Sequence, residues 1–516
     1  MKLKFHYSAI ILILLFFGVH GKLSAQIEQP VRAEIEIAWD ESLYNIISLK
    51  KSGVLLIRQM INKTTSLRER EWEIVRLDTD LKEVWKNSFI EDINFRLFGF
   101  DYRGRYAYLV YNRNENRNAN LRLKRITVAT GEVESFDLSN VVEMEITHFE
   151  TLHDKVILGG YYNNRPVVAI ISLITKLAVV LPNVFNEHAD LVDIKIDDVN
   201  NIFTVLVSER EENKNYTIAV KNFNEEGELI KDTRIRTDPE KTLIDGKATN
   251  LDGQGQRVFG IYSNKKNYAS QGFFIANINS DGTQSIKYHT YGDLNNFFAY
   301  MPRNKRDRMM RKYRSKENGN TALFNQRMIL SSLVPTQNGH IVVATGYQPL
   351  FTDRNPNMAR RYQYFPNSFG TDYMPFQQQQ VNAYRYQFAS IIAFDKSGKL
   401  IWDNMMELRD KESQILEDLV HIYPEPYRTI MMYMRENEIV YQVVNRNDII
   451  EPKSYEKVAL EYEEDKIRSF TYEIEGLRHW YDEHFFTYGV QRIRNREVAD
   501  VKSDRKVFYI NKVLYR

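Results

Sequence analysis

Apolar residues in this chain come in short runs, each closed by a cluster of Asp, Asn, Gly, Ser or Lys. SIIAFDKSGKLIWDN (residues 390–404) is representative: an apolar run, a polar turn carrying Gly398, and a second run that includes Trp402. The pattern predicts two antiparallel strands joined by a tight turn, with glycine where a positive backbone φ is easiest. The same unit stands in EIVRLDTDLKEVWKN (73–87), RLKRITVATGEVESF (122–136), TIAVKNFNEEGELIK (217–231) and FFIANINSDGTQSIK (273–287), and more faintly in AIISLITKLAVVL (169–181).

These hairpins recur about every 45 to 55 residues over the first five copies, the period of a four-stranded propeller blade rather than of a helical solenoid. Further strand patterns precede them, as in YNIISLKKSGVLLIRQM (44–60), DKVILGGYYNNRPVVAII (154–171) and GHIVVATGY (339–347). Val54, Leu55, Leu56 and Ile57 are apolar without alternation, which fits sheets covered on both faces. One more unit is readable in RTIMMYMRENEIVYQVVNR (428–446) followed by DKIRSFTYEIEG (465–476). The expected fold is all-β: a single closed β-propeller of six to eight four-stranded blades, seven being the preferred count, over residues 26–516. Its closing strand, RKVFYINKVLY (505–515), is expected to pair with a blade begun by AEIEIAW (33–39), which removes free sheet edges.

The period breaks once, where the hairpins at 273 and 390 stand roughly 115 residues apart. Two inserts take up the excess, at 296–322 and 351–388. The first carries eight basic residues between 303 and 316 (among them Arg303, Arg306, Arg308, Arg311 and Lys312) against the single acid Asp307. Pro302 stands where a helix can begin, and Met309, Met310 and Tyr313 give it one thin apolar stripe. Such a helix is either a solvated face or a docking site for an anionic partner, protein or cell-envelope component; no nucleic-acid reader motif accompanies the charge. The second insert interleaves aromatics with Arg, Asn and Gln. Tyr362, Tyr364, Tyr373 and Arg385 are its candidate contacts, in a composition suited to sugars or a protein interface, or to a lid folded on itself.

With its basic insert FFAYMPRNKRDRMMRKYRSKENG (297–319), the strand pair around MILSSLVPTQNGHIVVATGYQ (328–348) and the hairpin at 390–404, the chain resembles a group of secreted, cysteine-free propeller-like proteins common in the Bacteroidetes. The resemblance covers roughly residues 230–450 and implies a fold and export, but no chemistry.

Export also has a local basis. Lys2 and Lys4 precede an apolar stretch at 9–17, and Leu23-Ser24-Ala25 offers a cleavage site before Gln26, the layout of a signal peptide over residues 1–25 with an apolar core shorter than a membrane span. The alternative is an uncleaved anchor. No later segment has the apolar length of a transmembrane helix, so the expected location is the periplasm or cell surface of a Gram-negative bacterium. Losing Lys2, Lys4 and Lys22 and no acid moves the formal charge from +2 to −1. Cysteine is absent from all 516 residues, which excludes disulfides, thiolate metal sites and cysteine nucleophiles.

Catalytic signals are sparse. His479 and His484 flank acids in RHWYDEHFF, but their spacing is not that of a helical zinc pair. IDDVNNIF (196–203) lacks the glycine and terminal glutamate of a calcium loop and reads as a blade turn. No nucleophile elbow or P-loop is present. The favoured reading is a non-catalytic scaffold or binding module with no cofactor and no metal. The alternative is a glycosidase- or lyase-type enzyme acting on polysaccharide or peptide at the channel mouth, which requires a pocket with convergent acids or a His, Tyr and Arg group.

Overall fold

The computed structural model describes residues 27–61, 68–113, 121–138, 144–264, 269–314, 326–351, 381–408, 411–413, 416–470, 475–498 and 501–516. Its strands form eight successive antiparallel sheets built on the same four-strand plan. The first seven span residues 45–92, 95–137, 145–180, 189–234, 242–290, 327–407 and 421–457. The eighth takes residues 466–515 and borrows Ile27–Glu36. In each blade the strands are here called inner, second, third and outer.

The pattern of burial explains the sequence pattern. Second and third strands are covered on both faces: Val54–Met60, Arg165–Ser172 and Tyr216–Asn224 are buried at nearly every position. Outer strands such as Ala178–Val180 and Leu229–Arg234 are largely exposed. The apolar interior is divided into clusters that each bridge two adjacent blades, and together they join all eight blades. One of them packs Trp480, Phe486 and Phe508 of the last blade on Tyr44, Leu56 and Val75 of the first. The chain is an eight-bladed β-propeller.

The hairpin that recurs in the sequence is the third and outer strand of blades one to six. Its turn carries Gly131, Gly227, Gly282 and Gly398 at φ between 76° and 84°. Eight blades replace the preferred count of seven because the segments at 428–446 and 465–476 belong to two blades, not one. Thr429–Arg435 and Glu438–Asn445 are the second and third strands of blade seven, whereas Lys466–Phe470 opens blade eight. The closing strand pairs as expected, Ile27 with Tyr515 and Ile35 with Phe508. However, Ile27–Glu36 does not begin the first blade; it completes the last as its outer strand.

Antiparallel alternation gives the ring two different faces. Turns between inner and second strands, and between third and outer strands, lie on one face, the turn face. Loops between second and third strands, and the links between blades, lie on the other, the loop face. The link between blades five and six contains the single α-helix among the described residues, α1 (Arg303–Arg314), which is the helical part of the expected insert. Residues 291–301 ahead of it are built into the inter-blade core, with Tyr291 stacked on Phe297 at 4.0 Å. The backbone N–H groups of Asn295 and Asn296 donate to the buried Asp403 carboxylate at 2.6 and 2.8 Å. Among the described residues no helix is long and apolar enough to cross a membrane.

Candidate functional site

In blades two to six the inner strand carries a β-bulge at the same place, between Leu97 and Gly99, Ile146 and His148, Leu191 and Asp193, Leu243 and Asp245, and Leu330 and Ser332. A bulge re-aims the residues that follow it. In blades two to five those residues are largely ionisable, and they join neighbouring blades. Asp101 accepts from the Thr151 backbone N–H and hydroxyl at 2.8 and 2.7 Å. Lys247 Nζ meets Asp193 Oδ1 at 2.8 Å, and Lys195 Nζ donates to the Ala248 carbonyl at 2.9 Å. Burial and the nearby Asp101 hold the Glu150 carboxyl well above the usual carboxylate range, with Arg103 opposing them. For Lys247 burial works against the charged form, but Asp193 outweighs it and the ammonium is stabilised.

This network ends on the turn face at Arg103, whose guanidinium touches three blades. It meets Asp101 at 3.0 Å within blade two, Glu150 at 2.7 Å in blade three and Asp198 at 3.3 Å in blade four. Around it opens a cleft of about 620 Å³. Tyr102 comes from the inner strand of blade two and Arg105 from the turn after it, Tyr106 and Tyr108 from its second strand and Arg125 from its third. His153 and Asp154 are contributed by blade three. The rings of Tyr106 and Tyr108 meet edge-on at 6.2 Å. Two guanidinium groups lie over the Tyr106 ring, that of Arg125 at 4.7 Å and that of Arg105 at 5.1 Å. Arg125 also pairs with Glu134. Arg105 is exposed and, among the described residues, has no carboxylate partner.

Two groups in the cleft have the side chains of acid–base catalysis but not the configuration. The Tyr108 hydroxyl lies 3.1 Å from the His153 carbonyl and donates to it, and burial pushes its pKa up to about 12 despite Arg125. The His153 ring contacts Glu225 at 2.9 Å through Nδ1.

Arg303, Arg308 and Arg311 stand exposed on α1, and Arg306, partly covered, lies 3.9 Å from Asp307. Lys312 belongs to α1 by its backbone, and its side chain lies outside the described residues. Tyr362, Tyr364 and Tyr373 lie outside them as well. Arg385 stands on the third strand of blade six, where its Nε donates to Glu412 at 2.6 Å. The helix and the ends of the strands flanking 352–380 thus belong to the loop face, opposite the cleft. His479 lies 2.6 Å from the Asp482 carbonyl, and His484 stacks on Tyr481 at 4.5 Å, so both belong to a closing hairpin. IDDVNNIF is a blade turn, with Asp197 accepting from the backbone of Val199 and Asn200. Its next residue, Asp198, is the one that reaches Arg103.

Sequence reasoning missed the cleft. Its available signal was DYRGRYAY (101–108), where tyrosine and arginine alternate around one glycine. Arg103 and Asp198 are 95 positions apart, and only the ring brings them together.

No protein-family model matches the chain, and no curated protein matches it. Solved structures resemble it at low identity. The Dos1 propeller is 10% identical over 82% of this chain and 92% of its own, with a TM-score of 0.38. The WD40 domain of Toxoplasma gondii coronin is 9% identical over 93% and 90%, at 0.37. The polysaccharide lyase Uly1 is 10% identical over 81% and 89%, at 0.36.

Proposed function

We propose that this protein is an exported, non-catalytic binding module of the cell envelope that presents α1 to an anionic partner, an acidic protein or an anionic envelope component. One observation carries the reading. Met309 and Met310 pack against the core between blades five and six, so the helix is anchored by its apolar stripe while Arg303, Lys305, Arg308 and Arg311 remain exposed. Crowded cations repel one another, and opposite charge on a partner relieves that repulsion. Each exposed ion pair contributes only ~0.2–1 kcal/mol, so capture depends on several together and falls as salt rises. Export is supported by the pattern of residues 1–25, which lie outside the described residues. Binding is favoured over turnover by the cleft itself, where the Tyr108 proton and Nδ1 of His153 are both committed to protein partners.

The test replaces Arg303, Lys305, Arg308 and Arg311 together by Gln. Parent and variant are compared for co-sedimentation with anionic-lipid vesicles and for capture of envelope proteins at low and high salt. The variant is expected to melt like the parent and to lose the salt-sensitive capture. Equal capture at low salt by both proteins overturns the proposal.

A further inference from the structure

The cleft on the turn face is a second surface, separate from α1 and facing the other way. We propose that it binds an acidic oligosaccharide, a short chain of sugars bearing carboxylates, through Arg105 and the ring of Tyr106.

Four features define the ligand. The volume of about 620 Å³ lies in the range of sites that take small organic ligands rather than protein domains. The ring of Tyr106 is partly exposed and braced edge-on by Tyr108; with two guanidinium groups over the ring, its exposed edge is the apolar contact it offers to the C–H face of a pyranose. Polar groups at the rim are hydroxyl partners of both kinds: the Asp198 carboxylate is about half exposed and accepts, and the His153 side chain is equally open. Finally, the cations are unequal. Arg103 is held by three carboxylates and Arg125 by Glu134, so both serve as framework. Arg105 alone of the three offers a guanidinium with no carboxylate partner among the described residues, and it lies over the tyrosine ring at 5.1 Å. A planar guanidinium donates two parallel hydrogen bonds to one carboxylate, and the arrangement sets that carboxylate beside the ring on which the sugar rests. A neutral sugar leaves Arg105 unused. An acidic peptide satisfies Arg105 but has no flat apolar face for Tyr106 and few hydroxyls for Asp198.

Isothermal titration of the purified protein with trigalacturonate, with the neutral maltotriose and with hexaglutamate tests this. Trigalacturonate is expected to bind, and the other two to bind at least tenfold more weakly. Arg105→Gln, a change at an exposed side chain, is expected to weaken trigalacturonate about tenfold, the loss of one charge-assisted contact, with an unchanged melting temperature. Tyr106→Leu is expected to weaken it further, and the fourfold Gln variant of α1 to leave it unaltered, so failure of the helix reading and failure of this one are separable. Equal affinity for maltotriose, equal or tighter affinity for hexaglutamate, or full affinity in a folded Arg105→Gln protein overturns the proposal.

Discussion

The indole Nε1 of Trp480 donates to the carbonyl oxygen of Gly53 at 3.0 Å, joining the inner hairpin of the last blade to the inner turn of the first. Trp480 is fully buried, and it meets Tyr481 and Phe486 edge-on at 5.1 and 5.6 Å. Gly53 is required by its surroundings: its φ is 102°, and a Cβ there would lie 1.9 Å from the Leu77 carbonyl oxygen. The segment RHWYDEHFF, whose histidines invite a metal, is therefore a wedge at the seam of the ring.

Replacing that wedge measures the seam. Trp480→Phe keeps most of the packing and loses the hydrogen bond; since the Gly53 oxygen still accepts from Leu49, the expected cost is about 1–2 kcal/mol. Trp480→Ala opens a cavity and is expected to cost about 3–5 kcal/mol. Chemical denaturation followed by tryptophan-independent far-ultraviolet dichroism distinguishes the two, and equal stability of both variants to the parent would remove the seam from the energetics.

A buried ionic cluster holds the closing strand. Arg505 meets Asp465 at 2.6 Å and Glu34 at 3.0 Å, and Asn495 donates to Asp465 at 2.8 Å. Burial opposes the Asp465 carboxylate, but Arg505 and Asn495 outweigh it and hold its pKa below the usual range. Arg505→Leu leaves the buried Asp465 without its cation, while Glu34 keeps Arg32 at 2.7 Å, and is expected to cost about 3–5 kcal/mol. The matched double change, with Asp465→Asn added, is expected to recover part of that loss. No recovery in equilibrium unfolding would show that packing rather than charge is at stake.

The repeat suggests one stabilising substitution. In blade two Gly131 donates to the Thr127 carbonyl at 2.8 Å, and in blade three Lys176 makes the same bond to Ser172 at 2.9 Å, with φ of 59°. A side chain in the left-handed region is strained, so Lys176→Gly is expected to raise stability by about 0.5–1 kcal/mol, net of glycine's greater freedom when unfolded. A lower melting temperature in the variant would contradict the equivalence of the two turns.

His421, on the inner strand of blade seven, has its pKa lowered to about 3 by burial, with Arg478, His479 and Lys50 adding to the effect. Between that value and the ordinary value near 6.5 the unfolded chain binds a proton that the folded chain does not. Stability is therefore fully present above about pH 6.5 and falls as the pH drops, with a slope of up to about 1.4 kcal/mol per pH unit from this group. His421→Leu is expected to flatten the pH dependence of unfolding over that window, while Asp465 still contributes at lower pH. An unchanged slope between pH 4 and 6.5 would exclude His421 as its source.

Blades one to six were legible because each closes with a contiguous hairpin whose third strand is buried on both faces and whose turn is polar. Blade eight has no such hairpin, since its outer strand comes from the other end of the chain and its inner strand is split between Lys466–Phe470 and Gly476–Tyr481. Blade seven has an outer strand, Asp448–Lys457, interrupted by two register shifts. Merging the two into one unit gave seven. The exposed cations of α1 were readable because a charge run needs no partner to be seen. The cleft was not, because Arg103 acquires its meaning from Glu150 and Asp198, which the linear pattern scatters over separate turns.

Pairing the two ends of the chain has a consequence in time. Gln29 and Asn511, bonded side chain to side chain at 2.9 Å, are 482 positions apart. At ~5–20 residues per second, synthesis of the second follows the first by roughly 25–100 s. Throughout that interval Ile27–Glu36 lacks the strand it pairs with, and the last blade cannot be completed. Ile27–Glu36 thus acts on the remainder of the protein as a tethered ligand acts on its receptor, bound last and held by effective concentration. A ring cut from its own first strand should accept that strand back as a free peptide.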